Sequence, residues 1–532
     1  MMPDPNGLVN LTIDGAPVSV PKGTLVIEAA KQAGILVPHY CYHPGLPVAG
    51  VCRMCLVEIE KAPKLQIACA TPVTDGMVVH TQSRQARDGR MGVLELLLIN
   101  HPLDCPICDQ AGECELQDFT FQEGRPATRY SPAYAKRFNP VEDFGPDVLF
   151  VPNRCILCTR CVRFMEDVAQ EPVLNVSERG DRAYIGIHPD ARLDHPWAGN
   201  VVDLCPVGSL LSKDFLHKAR AWELDKTASI CTGCSQGCNI TLDTRDDVVV
   251  RIRPRPNLAV NRYFICDHGR MNYRWMNRGD RSEAPLVRQP DGTARAVDWD
   301  EALERAAAIL RGAGGAAVAL ISPRVSTEAL FLARELLASF EWTGAYQLVM
   351  GEEAPLAGVP DLALRAERAP NARGADLLGY GPDYAAALRA AEQAAVVLVL
   401  DDPQAAVRPA GALIYLGTVP PEDGSDPGAD GTLRSAELVL PIANVAEEEG
   451  TFVNRDGRVQ RYVQAKPAPG MAQPAWWVLG ALGARLGRGT APASAAEVFD
   501  RLAASVPAFA GLSYANLGLG GRVIGADAGV PA

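Results

Sequence analysis

The chain opens with short apolar and polar runs on either side of Asp14-Gly15. In GLVNLTIDGAPVSVP, residues 7–21, these read as two strands joined by a tight turn. KGTLVIEAAKQAG follows and predicts a helix, with Thr24 as its N-cap and Gly34 as its C-terminal stop. LVEIE at 56–60 returns to a strand. Between 84 and 99, RQARDGRMGVLELLLI spaces Met91, Leu94, Leu97 and Leu98 along one helical face. Pro102 disfavours helical geometry at His101, so this helix should end near Asn100. Residues 227–270 read as mostly short strands, with a hairpin in TLDTRDDVVVRIRPRP. From about residue 271 the texture becomes Ala-, Leu- and Gly-rich. AAVALIS, AAVVLVL and ALIYLG are unbroken apolar runs of the kind buried parallel strands show, with helices such as STEALFLARELLASF between them. The tail after about 488 carries no readable motif. Its glycines at 518, 520 and 521 do not sit between a strand and a helix, so they are not a dinucleotide fingerprint.

Composition sets broad bounds. A chain of 532 residues is long enough for roughly three or four domains. It is 48% hydrophobic and 21% charged, as in ordinary soluble globular proteins. A net charge of -12 argues against a nucleic-acid binder. No apolar run reaches the roughly 18 residues of a membrane span. The N-terminal MMPDPNGLVNLTIDG lacks the basic and apolar regions of a signal peptide, so a cytosolic protein is expected.

Cysteine changes the picture most. All fifteen cysteines lie between Cys41 and Cys266. In a reducing compartment such a collection points to metal binding rather than disulfides. They fall into four sets: Cys41, Cys52, Cys55 and Cys69; Cys105, Cys108 and Cys114; Cys155, Cys158 and Cys161 with Cys205; and Cys231, Cys234 and Cys238 with Cys266.

The C-x2-C-x2-C run at 155–161 suits one corner of a [4Fe–4S] cubane with a distant fourth ligand, whereas zinc, the alternative, usually takes paired cysteines. In two-cluster ferredoxins a fourth cysteine would follow, and Met165 stands there. The second run survives only as Cys205-Pro206, with His195, Ala198 and Val201 in the places of its other ligands. One cluster of the pair is therefore kept and the other lost. The Cys41 set, in a loop with Gly45, Ala49 and Gly50, suits a [2Fe–2S] cluster, with a structural zinc knuckle as the alternative. The Cys231 set reads as a further [4Fe–4S] site, its thiols interleaved with Gly233, Ser235 and Gly237.

The second set holds only three thiols, and if the other three sets are closed no thiol is left over. His101, four residues upstream of Cys105, is the nearest candidate for the fourth ligand of a [4Fe–4S] cluster. A neutral imidazole in place of a thiolate makes a cluster less negative and raises its potential. No P-loop, nucleotide loop or catalytic constellation is evident. Four clusters without a substrate site describe a wire of one-electron carriers.

These residues carry a resemblance. The pattern at 41–69, H-x3-C-x2-C-x5-C at 101–114, RCILCTRCVRF with NVVDLCPVGSL, and ICTGCSQGCNI with VNRYFICDHGR are similar to the G-type, or 75-kDa-type, family of iron–sulfur subunits of NADH–quinone oxidoreductase (respiratory complex I). The resemblance implies a histidine ligand at His101. It also implies electrons arriving from a flavin, NADH-binding subunit and leaving toward further iron–sulfur subunits near the quinone site. The protein would sit peripherally on the cytoplasmic side of the bacterial inner membrane, in a complex, with no span of its own. In that family the cluster matching Cys231, Cys234, Cys238 and Cys266 lies off the main path.

From about 227 onward the chain looks like a molybdopterin oxidoreductase, in AVDWDEAL at 296–303 and in AELVLPIANVAEEEGTFVNRDGRVQ at 436–460. It departs from catalytic relatives by being short, by lacking any cysteine after Cys266, and by placing His268 where formate dehydrogenase-like enzymes typically carry Lys. The reading is a degenerate scaffold without molybdenum, although a Ser or Asp ligand stays open.

The expected architecture is multidomain α+β and α/β. It comprises a β-grasp [2Fe–2S] ferredoxin-type domain at 1–80, a helical [4Fe–4S] domain with one histidine and three cysteine ligands at 81–145, and a ferredoxin-like [4Fe–4S] domain at 146–220. A [4Fe–4S] domain of molybdopterin-oxidoreductase type at 221–280 and a shortened α/β domain at 281–532 complete it. The cofactors expected are one [2Fe–2S] and three [4Fe–4S] clusters, with no separate catalytic residues. The alternatives are the iron–sulfur subunit of an NAD-linked hydrogenase or formate dehydrogenase, and a catalytic molybdoenzyme.

Overall fold

A computed structural model describes residues 7–131, 136, 138–403, 405, 407, 409–419 and 436–525. The first six residues of the N-terminal segment and the last seven of the Ala/Gly-rich tail lie outside the described residues. The chain divides into two compact units, residues 1–224 with 356–360, and residues 225–355 with 361–532.

The first unit begins with the hairpin. Leu8–Ile13 and Ala16–Pro21 pair antiparallel, and Asp14 and Gly15 take positive φ (47° and 84°), as a tight hairpin turn demands. Met77–His80 adds in parallel to Leu8–Ile13, and Leu56–Ile59 and Gln66–Ile67 complete a five-stranded sheet. The helix Val26–Gln32 lays Val26, Ile27, Ala29 and Ala30 into its core, and Gly34 ends it at φ 74°.

Thr24 is not the N-cap. Leu25 holds that place, and Thr24 Oγ1 donates to Pro21 O instead. The helix's first N–H groups are met from a distance: Val26 N donates to Thr71 O and Ile27 N to Ala68 O. Backbone on either side of Cys69 thus replaces a side-chain cap.

The helix Arg84–Asn100 follows, capped by Ser83, whose Oγ accepts from Ala86 N at 3.2 Å. It stops at Asn100, and His101 has extended geometry (φ -62°, ψ 127°). Arg90 is fully buried on it, donating to Thr81 O and Leu56 O and paired with Glu123 at 3.0 Å, which ties the helix to the sheet and to the Glu115–Glu123 helix. The remainder of the unit holds a three-stranded sheet of Leu210–Ser212, Val148–Phe150 and Glu142–Asp143, a Leu174–Ser177/Tyr184–Ile187 hairpin, and short helical turns at Arg160–Arg163 and Asn200–Leu204.

The second unit opens with three antiparallel strands, Asp225–Ile230, Asn239–Arg245 and Val248–Pro254. Its main sheet has seven strands. Leu438–Pro441, Ala412–Gly417, Val396–Leu400, Ala316–Ile321 and Glu341–Tyr346 lie parallel, and Leu286–Arg288 with Ala294–Ala296 extends the sheet antiparallel.

Both faces are covered. Ala317, Ala319 and Ile321 point into one core with the helices Trp299–Gly312, Thr327–Leu337, Ala475–Arg485 and Ala495–Ser505. Val318 and Leu320 point into another with Tyr384–Ala391. Burial on both faces is why these strands read as unbroken apolar runs. Among the described residues no helix is long and apolar enough to cross a membrane.

Candidate metal centres

In the Cys41 set, Cys41, Cys55 and Cys69 are fully buried and Cys52 is half-buried. The loop from 38 to 55 leaves the Val26–Gln32 helix and turns back through Gly50 (φ 63°) and Arg53 (φ 59°), which brings Cys41 N within 3.4 Å of Cys52 Sγ. Hydrogen bonds among the thiols themselves hold Cys41 and Cys55 below the usual thiol range and push Cys52 and Cys69 above it. Four thiols crowded this closely are a donor set for a soft metal centre.

In the second set, Cys108 and Cys114 are buried and Cys105 is exposed on a single helical turn, Cys105–Ile107. His101 stands at the end of the Arg84–Asn100 helix, and its Nδ1 is buried without a hydrogen-bond partner. Burial, followed by the charges of Lys136 and Arg154, lowers its pKa to about 4, so the imidazole is neutral, as a metal ligand must be. His101, Cys105 and Cys114 open onto one cavity of about 740 Å³. Cys108 is not among the residues lining it, but an unpartnered imidazole nitrogen on a residue that shares the cavity with Cys105 and Cys114 fits a fourth ligand.

In the Cys155 set, left-handed Leu157 (φ 53°) and Thr159 (φ 60°) coil the backbone between the cysteines, and Leu157 N lies 3.4 Å from Cys155 Sγ. All four thiols line a small cavity walled by Phe150, Ile156, Ile185, Val207 and Leu210. Of the positions that a second ferredoxin set would use, Met165, Ala198 and Val201 are buried and His195 is half-buried.

In the Cys231 set all four thiols are buried, and Gly233 N and Gly269 N approach Cys231 Sγ and Cys266 Sγ at 3.4 and 3.3 Å. A Cβ on Gly269 would lie 2.9 Å from Cys231 Sγ, so that glycine keeps a cradle open.

Burial pushes the Cys114 thiol up to about 11 and Cys231 up to about 12, and raises Cys158, Cys161, Cys205, Cys234, Cys238 and Cys266 as well. Thiolates in such places need the positive charge of a metal core, and these residues fit one. Among the described residues no three His, Cys, Asp or Glu side chains gather on a single-ion position. A cluster, whose irons take separate ligands, does not require that.

Sequence reasoning missed the arginines between the sets. Arg160 Nη2 donates to Tyr42 O at 2.8 Å, Nη1 to Leu204 O at 3.2 Å, and both nitrogens to Glu115, so it touches a neighbour of Cys41, of Cys205 and of Cys114. Arg154 joins Asp104, beside Cys105, to Gly208 O. The three thiol sets of this unit also share one apolar core. Tyr40, Met54, Leu94, Leu116, Phe119 and Val207 pack with Cys41, Cys114 and Cys158. The only hint in the sequence was three arginines interleaved with Cys155, Cys158 and Cys161.

Comparison with known proteins fits this layout. Residues 7–84 match a 2Fe-2S iron-sulfur cluster binding domain, and 90–129 the NADH-ubiquinone oxidoreductase-G iron-sulfur binding region. Residues 145–211 match the ferredoxin-like domain of NADH-quinone oxidoreductase subunit 3, 224–278 the molybdopterin oxidoreductase Fe4S4 domain, and 426–485 a molybdopterin oxidoreductase domain. The NADH-quinone oxidoreductase G subunit of Rickettsia felis is 42% identical over 331 residues, 62% of this chain and 49% of that protein. The mitochondrial NADH-ubiquinone oxidoreductase 78 kDa subunit of Neurospora crassa is 48% identical over 295 residues, 56% of this chain and 39% of that protein. A chain from the crystal structure of NAD+-reducing [NiFe]-hydrogenase in the H2-reduced state is 32% identical, matched over 40% of this chain and 90% of its own, with a TM-score of 0.36. The chain spans about half the length, or less, of the relatives it matches. It combines 2Fe-2S, 4Fe-4S and molybdopterin oxidoreductase modules in a multidomain α/β arrangement, and it is a homologue of the G-type and 78 kDa subunits of NADH-quinone oxidoreductase.

Proposed function

We propose that this chain is an electron-transfer iron–sulfur subunit of an NADH–quinone oxidoreductase, taking single electrons from a flavin subunit and passing them toward iron–sulfur subunits near the quinone site. The observation that carries this reading is the apolar core in which Cys41, Cys114 and Cys158 meet. Bound at these sites, iron–sulfur clusters supply reversible one-electron oxidation and reduction. The chain's own part is to hold three donor sets around one water-excluding core, with Arg154 and Arg160 fixing their mutual registration.

In this reading Cys41, Cys52, Cys55 and Cys69 hold a [2Fe–2S] cluster. His101, Cys105, Cys108 and Cys114 hold a [4Fe–4S] cluster, as do Cys155, Cys158, Cys161 and Cys205, and Cys231, Cys234, Cys238 and Cys266. The orphaned His101 Nδ1 supports the histidine assignment. The domain divisions proposed are 1–80, 81–145, 146–220, 221–280 and 281–532. The last is a molybdopterin-oxidoreductase-like scaffold without molybdenum, consistent with the lack of cysteine after Cys266. The partners are the flavin and iron–sulfur subunits of the peripheral arm, on the cytoplasmic side of the membrane.

Elemental analysis of anaerobically purified protein tests the reading. About fourteen irons per chain, without zinc or molybdenum, is the expected result. Zinc in place of iron would end the electron-transfer reading, and molybdenum near one per chain would make the second unit an active site.

A further inference from the structure

Arg163 differs from Arg154 and Arg160 in its partners. Arg154 is paired with Asp104 and Arg160 with Glu115. Arg163 is 9% exposed, and the oxygens its guanidinium meets are all neutral. Its Nη2 donates to Cys41 O, and to Cys158 O at 3.4 Å, its Nη1 to Pro47 O, and its Nε to Thr159 Oγ1 at 3.3 Å. Among the described residues no carboxylate lies within ion-pair distance of it. The charged groups around it are Arg160, the exposed Asp167, and the thiols of Cys41 and Cys158.

A guanidinium taken out of water without a counter-ion is costly, and carbonyl dipoles alone offset this only in part. The missing negative charge lies in the two donor sets that its Nη2 bridges. Four thiolates outweigh the positive charge of an iron–sulfur core, so each loaded site is anionic, and more so when reduced.

We propose that Arg163 is the shared counter-cation of the Cys41 and Cys155 sets, holding one positive charge against a ligand residue of each and stabilising the reduced state of both. This rests on the iron–sulfur reading above. A fixed cation favours the form with one more electron, so it raises both midpoint potentials together. Burial shields it from salt, so the effect should be insensitive to ionic strength.

The test is an EPR-monitored redox titration of the full chain as wild type, Arg163→Gln, Arg163→Met and Arg163→Lys, with iron measured on the same samples and the Cys231 set in the other unit as internal reference. Both neutral variants should move the Cys41 and Cys155 midpoints to more negative values, at low and high salt alike, while Arg163→Lys stays near wild type. Loaded neutral variants with unshifted midpoints would overturn the proposal. Should the neutral variants lose iron from these two sets while Arg163→Lys keeps it, the cation is needed to hold them, which supports the same conclusion. Equal loss in all three variants would make Arg163 a packing residue and overturn it. A wild-type chain without iron would instead sink the functional reading.

Discussion

Gly208 carries the sharpest steric demand in the first unit. A methyl group on it would lie 2.1 Å from Cys108 Sγ and 3.1 Å from Gln110 Cβ. Ordinary contacts are about 3.5–4.0 Å, so something must give by more than about 1 Å. Cys108 has little room, because its carbonyl accepts from Arg220 Nη1 at 2.7 Å and its side chain is buried. The Gly208 segment is pinned as well: Val151 N donates to Ser209 O at 2.7 Å, and Ser209 Oγ to Val151 O at 3.0 Å. Overpacking of this kind costs about 1–3 kcal/mol. At about 1.4 kcal/mol per tenfold, the population with all four His101-set ligands in place falls about 5- to 150-fold. The φ of Gly208 is not left-handed, so the perturbation is steric rather than a backbone effect. Gly208→Ala should therefore lose about four irons per chain and the EPR signal of the His101 set first. A Gly208→Ala chain with full iron and an unaltered signal would refute the claim that Cys108 sits against Gly208.

His101→Ala should abolish or alter the EPR signal of the second set, and an unchanged spectrum would remove His101 from the ligands. His101→Cys should retain the cluster at a more negative midpoint, since a thiolate replaces a neutral imidazole. Burial and then neighbouring Glu328, among the raising influences, push Glu448 up to about 8, with Oε1 accepting from Tyr462 OH and Oε2 unpartnered. A carboxyl whose folded pKa is raised is favoured neutral, so its stabilising contribution is present at low pH and is lost as pH rises from about 4.5 through about 8. Glu448→Gln keeps the acceptor for Tyr462 and should flatten that decline in thermal unfolding scans; an unchanged slope would count against a protonated Glu448. Glu447 is wholly buried and accepts from Arg281 Nη1 and Nη2 at 2.6 and 2.7 Å. Glu447→Ala leaves that buried guanidinium without its counter-ion, with only the Thr418 and Ile442 carbonyls as partners, and should cost about 3–5 kcal/mol in denaturant unfolding of the second unit, whereas a cost below about 1 kcal/mol would mean that water reaches Arg281.

The sequence and the structure part company at places with a common cause. The hairpin at Asp14-Gly15, the stop at Asn100 and the parallel strands at Ala316–Ile321 and Val396–Leu400 were legible because each depends on neighbours in the chain or on two-sided burial. Thr24 misled because the N–H groups it was expected to cap are met by Thr71 O and Ala68 O, more than forty residues away. The cysteine sets could be grouped by counting, since ligand number and spacing are local arithmetic. The arginines could not. Arg163 reads as one more surface charge until Cys41 O, 122 positions distant, is seen to accept from it, and Arg160 until Tyr42 O, 118 positions distant, does the same. A main-chain carbonyl has no letter in the sequence, and its direction is fixed only when the loop that carries it has folded. The pattern that groups the cysteines therefore does not identify what holds one set against the next. In this chain that task falls to buried guanidinium groups bonded largely to backbone oxygens, and a change at Arg160 or Arg163 should disturb two ligand sets at once where a change at a single cysteine disturbs one.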